Sequence, residues 1–198
     1  MRLAITSLAA TLLCLQFFPI AGSSASAHAK EFEREHHQLE HGHNQRHGVE
    51  SSIIIDAPQK AVFEGIQSSR LKEPDHRKLV SHHNQVAVID ESFPELPVIG
   101  QAHCTYKEIE IPYKKIEFQM IKSDKLKAFE GYWELTPVDN GEKTEVKLRT
   151  FTEPKIWVPF VRELSSSSTI KDIHRRLKNL KHWTEEDHRS SCRQQVNQ

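Results

Sequence analysis

Between residues 113 and 149 the apolar side chains keep a period of two, and over residues 161–183 that period lengthens to the period of a helix. Ile116, Phe118 and Met120 alternate with Lys115, Glu117 and Gln119. Phe129, Gly131, Trp133 and Leu135 alternate with Glu130, Tyr132 and Glu134, and Val146 and Leu148 are set against Glu145, Lys147 and Arg149. Successive side chains of a strand point to opposite faces, so each segment has one dry face and one charged face. The sheet they form is wet on one side only. Its cover comes last in the chain. Val161, Leu164, Ser168, Ile173, Leu177, Leu180 and Thr184 fall three to five residues apart, with Arg162, Lys171, Asp172, Arg175, Arg176 and Lys178 between them. That pattern is one long helix with a single apolar stripe. The fold class is therefore α+β, an antiparallel sheet curled around a long C-terminal helix.

The earlier segments fit the same plan. VESSIIID (residues 49–56) reads as a β-branched strand, and Asp56-Ala57-Pro58 turns the chain into a short amphipathic helix, PQKAVFEGIQSS (residues 58–69). Proline suits a first helical turn. Residues 70–84 are polar, with Pro74 as a breaker and a second short helix expected through residues 78–80. Residues 86–90 are a strand, FPELP (residues 93–97) is a proline-bounded loop, and residues 98–111 are one extended strand. Asn140-Gly141 signals a two-residue hairpin. In the 98–111 strand, Ala102, Cys104 and Tyr106 share one face and Ile109 and Ile111 the other. A bulge near Lys107-Glu108 is the preferred resolution, and burial of both faces at one end is the alternative.

The N-terminus carries different information. Arg2 is the only charge before Lys30, and LAATLLCLQFFPI (residues 8–20) is followed by the small-residue run AGSSASAHA. That order is the order of a secretory signal peptide, with cleavage expected near Ala27. Residues 3–21 are almost long enough to span a bilayer, but Thr6, Ser7, Thr11 and Pro19 favour cleavage over anchoring. The mature protein is expected to be periplasmic or secreted. Residues 28–48, HAKEFEREHHQLEHGHNQRHG, hold few large apolar side chains and read as a solvated linker. His37 and His41, and again His43 and His47, have the i, i+4 spacing that suits weak capture of Zn²⁺, Ni²⁺ or Cu²⁺. The domain is expected over residues 49–184, and residues 185–198 form a polar, frayed tail. The chain has 27 basic and 27 acidic residues, a balance that excludes a phosphate-tracking nucleic-acid binder. Cys104 and Cys192 are the cysteines left after the leader; they can pair in an oxidising compartment, although one lies in a strand and the other in the tail.

Two stretches carry a resemblance. IIIDAPQKAVFEGI (residues 53–66) is similar to the opening strand, small-Pro turn and helix of the START-like helix-grip proteins. GYWELTPVDNGEKTEVKL (residues 131–148) is similar to their G-x-W-x-L-x-P hairpin and the strand after it. With EPKIWVP (residues 153–159) and the terminal helix, the chain resembles the SRPBCC superfamily of polyketide cyclases and lipid-transfer proteins, near its coenzyme Q-binding branch. The resemblance implies a pocket for a hydrophobic small molecule between the sheet and the C-terminal helix, with no cofactor. An exported member is expected to meet lipids or isoprenoids in the cell envelope, with transient membrane contact.

Strand parity and the helix stripe then nominate the pocket residues: Cys104, Tyr106, Phe118, Met120, Trp133 and Leu148 from the sheet, Trp157 and Phe160 from the approach, and Leu164, Ser168 and Ile173 from the helix. Ser165 and Ser168 are small enough to leave room there. Support for catalysis is thin. His103 falls on the opposite strand face from Cys104, Glu117, Glu130 and Glu134 lie on the charged face, and the couplets Asp75-His76 and His82-His83 fall in polar connections. A noncatalytic carrier is the leading expectation. A cyclase or dehydratase working through a group such as Tyr106 is the alternative, and metal handling by the histidine linker is the third.

Overall fold

The structure, a computed structural model, describes residues 48–96, 99–156 and 161–196. The leader and the histidines His37, His41, His43 and His47 lie outside the described residues. Strand β1 (Val49–Ile55) passes through Asp56-Ala57-Pro58 into helix α1 (Gln59–Ser69). Pro58 is the N-cap rather than the first helical residue, and its carbonyl accepts the Val62 N–H at 3.2 Å. The missing proline N–H costs nothing there, because no helical partner exists for it.

Six strands follow: β2 (Arg77–His83), β3 (Val86–Leu96), β4 (Gly100–Ile111), β5 (Lys115–Ser123), β6 (Leu126–Val138) and β7 (Lys143–Pro154). With β1 they form a seven-stranded antiparallel sheet in the order β1-β7-β6-β5-β4-β3-β2. Helix α2 (Val161–Val196) ends the chain and lies against β1 and β7. Ile173, Leu177 and Leu180 of α2 are each no more than 2% exposed. They pack in one core with Ile55, Val146 and Leu148 of the sheet and Val62, Phe63 and Ile66 of α1. The period-two and helical signals thus place the sheet and its cover where the sequence put them.

Several local expectations are corrected. Residues 78–80 are not helical but belong to β2, where Leu79 pairs with Ile89 and Val80 is the extra residue of a bulge. β3 continues through the segment expected to be a loop, because Phe93 pairs with Ala102 on the buried face and the register shift beyond it accommodates Pro94, which has no N–H to donate. The hairpin after β6 has four residues between the paired Val138 and Lys143, with Asn140 (φ 55°) and Gly141 (φ 89°) in the left-handed region. α2 does not fray at Thr184. Lys181 pairs with Glu185, Arg189 donates to the Glu185 carbonyl, and Ser190 and Ser191 donate to carbonyls one turn back.

The bulge expected in β4 lies instead in β5. Thr105 pairs with Lys122 and Tyr106 with Met120, so Ile121 is the surplus residue. β4 therefore keeps one unbroken parity, with Ala102, Cys104, Tyr106, Glu108 and Glu110 all buried along one face. Ile109 is buried on the opposite face, so burial of both faces at one end is the arrangement the strand adopts. Bulges at Val80, Ile121 and Lys127 each turn their extra residue to solvent. They bend the strands and supply the curvature that keeps the sheet from lying flat under α2.

Candidate functional site

The sheet curves away from α2 toward the β3–β4 and β5–β6 turns, leaving a hollow of about 610 Å³. Its buried lining is apolar at Phe93 of β3 and at Leu126 and Phe129 of β6, and polar at Glu91, Thr150 and Thr169. Phe93 and Phe129 meet edge-on with ring centroids 5.2 Å apart. Thr150 and Thr152 from β7 and Ser168 from α2 also line the hollow. Its open side carries Glu73 and His76 from the α1–β2 connection and Lys171 and Arg175 from α2. The site has an aromatic end, a buried charged wall and an ionic rim.

One wall is a buried ion network. Glu91 of β3 accepts Arg77 Nε at 3.2 Å, Arg77 Nη2 at 3.1 Å and the Tyr106 hydroxyl at 2.7 Å, and it also accepts Arg176 Nη2. Asp172 accepts Arg176 Nε at 2.6 Å and Arg175 Nη2 at 2.7 Å, while Arg175 Nη1 reaches Glu73 at 2.9 Å. The network ties α2 to the edge of the sheet and to the α1–β2 connection. Burial by itself raises a carboxyl, but the guanidiniums of Arg176 and Arg77 outweigh it and hold Glu91 down at about 2. Burial, then the neighbouring Glu91 charge, pushes the Tyr106 phenol well above its ordinary value. Glu91 is a saturated anion and Tyr106 a hydrogen-bond donor. Neither is poised to take up a proton near neutral pH.

A second buried cluster lies deeper. Arg70, following α1, donates to Glu108 at 2.8 Å and Glu110 at 2.6 Å, and Gln67 donates to Glu110 at 2.8 Å. His82 Nε2 stands 3.3 Å from the same Glu110 carboxylate. The cluster fastens the end of α1 to the inner face of β4.

The nominated pocket residues separate into groups. Ser168 lines the 610 Å³ hollow. Tyr106, Phe118, Trp133 and Leu148 surround a smaller space of about 10 Å³, and Phe118 stacks on Phe129 at 5.1 Å. A space of that size holds about one water, so these four side chains chiefly pack one another. Gly131 permits that packing, since a Cβ there would lie 2.6 Å from Phe118 Cζ and 2.0 Å from the Arg149 carbonyl oxygen. Ile173 is fully buried in the core, and Met120 packs against the core half-buried. Cys104 lines a separate open groove, and burial pushes its thiol up to about 12. Cys104 and Cys192 are both free. Trp157 and Phe160 lie outside the described residues, as does the side chain of Leu164.

Sequence parity did not single out the charges. Acidic residues in an alternating strand have the residue type of its wet face, so Glu91, Glu108 and Glu110 give no sign of burial by type alone. The usable signal was their position: Glu108 and Glu110 have the parity of Tyr106, and Glu91 is two residues from the buried Phe93.

No family model and no curated protein matches the chain. Solved structures do. The ZhuI aromatase/cyclase from Streptomyces sp. R1128 is similar at a TM-score of 0.64 and 12% identity, over 73% of this chain and 97% of that one. TTHA0849 from Thermus thermophilus is similar at 0.54 and 16% identity, over 71% and 95% of the two chains. A START superfamily protein from Mycobacterium smegmatis is similar at 0.54 and 14% identity, over 70% and 99%. At such identities the likeness is one of fold, and with the curved seven-stranded sheet and its C-terminal helix it shows that this chain has the START-like, helix-grip fold.

Proposed function

We propose that the protein is a noncatalytic binding or carrier protein for an amphipathic small molecule with a large apolar part, of the lipid or isoprenoid kind. The observation that carries this reading is the 610 Å³ hollow itself, lined deep inside by Phe93, Leu126 and Phe129 and ringed outside by Lys171, Arg175, Glu73 and His76. Concave, mostly apolar spaces with a few polar groups are where such ligands lodge. The apolar body of the ligand occupies the aromatic end, and its polar end meets the threonine and serine hydroxyls or the rim charges. The saturated bonding of Glu91 favours carriage over acid–base catalysis, because a carboxylate held at about 2 is a weak base. The leader-like residues 1–27 support action outside the cytoplasm. Solvent extraction of the purified protein followed by mass spectrometry tests the proposal. A stoichiometric apolar compound is the expected result, and its absence from protein purified from its native host counts against carriage.

A further inference from the structure

The end of the sheet nearest the hollow carries a patch that packing among the described residues does not explain. Ile121 is 54% exposed and Ile156 is 42% exposed. Ile121 is turned outward by the β5 bulge, and Ile156 follows the last residue of β7 by two positions. The loops bearing them are tied together: Lys155 N–H donates to the Lys125 carbonyl at 2.8 Å, and Lys155 Nζ to the Ser123 carbonyl at 2.8 Å. Lys125 Nζ donates to the Ile99 carbonyl at 2.8 Å, bringing in the β3–β4 turn. Leu126, paired with Pro154 in this same corner, also lines the hollow. The patch and the hollow therefore share a wall.

The charges around the two isoleucines are mostly basic. Lys122, Lys125 and Lys155 have no carboxylate partner among the described residues, whereas Lys127 is paired with Glu153 at 2.8 Å. Asp124 is the one acid in the β5–β6 turn; it accepts the backbone N–H groups of His103 and Lys125, and its charge offsets only one of the three lysines. A local cationic excess stands out on a chain of zero net charge. Exposed aliphatic side chains among unpaired lysines suit a surface that is greasy just below an anionic layer: the isoleucines enter the acyl boundary while the ammoniums stay among the headgroups. Among the described residues no helix is long and apolar enough to cross a membrane, so contact of this kind is peripheral.

We propose that this corner is a docking surface for anionic lipid bilayers, formed by Ile121 and Ile156 with Lys122, Lys125 and Lys155. It goes beyond ligand carriage and needs no particular ligand. The test is co-sedimentation of the purified protein with phosphatidylcholine vesicles, with and without phosphatidylglycerol. Binding is expected only to the anionic vesicles and is expected to fall steeply with added salt. Lys122→Glu is expected to weaken it by roughly fivefold or more, and Ile121→Ser with Ile156→Ser by about tenfold. Both variants are exposed substitutions, so their melting temperatures and their binding of a dansylated fatty acid should match the parent's. No vesicle binding overturns the proposal. Binding that both variants leave intact also overturns it, because the membrane contact would then lie elsewhere on the chain. So does self-association that the isoleucine variant abolishes in the absence of any vesicle binding, since the patch would then join two copies of the chain. If vesicle binding fails while the fatty acid still binds, docking is refuted and carriage stands.

Discussion

Glu91 meets Arg77, Arg176 and Tyr106 in one buried place, and its state links folding to the site. Its carboxyl is ordinary at 4.5 and held at about 2 in the fold. A depressed pKa means that the folded state prefers the anion, so the stabilisation is complete above the ordinary value and is lost as pH falls toward the folded one. A shift of that size corresponds to roughly 3 kcal/mol. Equilibrium urea unfolding should show stability falling between about pH 4.5 and pH 2, with a smaller slope there in Glu91→Gln. At neutral pH the same variant should be destabilised by about 3 kcal/mol, because it leaves two buried guanidiniums short of a counter-charge. Equal acid sensitivity in parent and variant would show that Glu91 is not the group responsible. Such a residue was hard to read from sequence, since alternation separates apolar from polar positions and cannot tell a solvated glutamate from one buried against arginines that arrive from β2 and α2. The partners of Glu91 lie 14, 15 and 85 residues away, at separations that no local window spans.

At the scale of elements, the sequence was informative where one period persisted. Strands β5, β6 and β7 and the stripe of α2 were legible because many residues repeat the same in–out choice. The short β2 edge was not, because bulging at Val80 breaks the alternation and leaves most of its side chains exposed. The bulge expected in β4 is absent for a related reason: the change of apolar parity there reflects burial of both faces at one end, which sequence alone cannot tell from an extra residue. Gly131 of β6 sits in close contact with both β5 and β7. A methyl group on Gly131 would strike the Arg149 backbone at 2.0 Å as well as the Phe118 ring. Backbone cannot rotate aside as a side-chain tip can. Gly131→Ala should therefore cost about 3 kcal/mol or more by chemical denaturation, toward the upper end of overpacking penalties. A cost under about 1 kcal/mol, as for a well-tolerated core substitution, would show that β6 and β7 shift apart readily there.

For the molecule as a whole, curvature decides function. The sheet closes fully on α2 around Leu177 and Leu180, nearly closes around Trp133 and Leu148, and opens where Phe93 and Phe129 face Ser168. Sequence parity located the inner face and the helix above it, but not the depth at which the two part, because that depth depends on accumulated twist and bulging. Hence Ser168 faces the hollow, while Tyr106, Phe118, Trp133 and Leu148 fill the layer beneath it. The central claim is that the hollow of about 610 Å³ receives an amphipathic molecule. Its most direct test is a fluorescence titration with a dansylated fatty acid, on the parent protein and on Ser168→Trp and Thr152→Trp, which place an indole in the hollow from opposite walls. Saturable binding by the parent is expected, lost in both variants while their melting temperatures stay close to the parent's. Binding that persists at parental affinity in both folded variants, or no saturable binding by the parent, would contradict it.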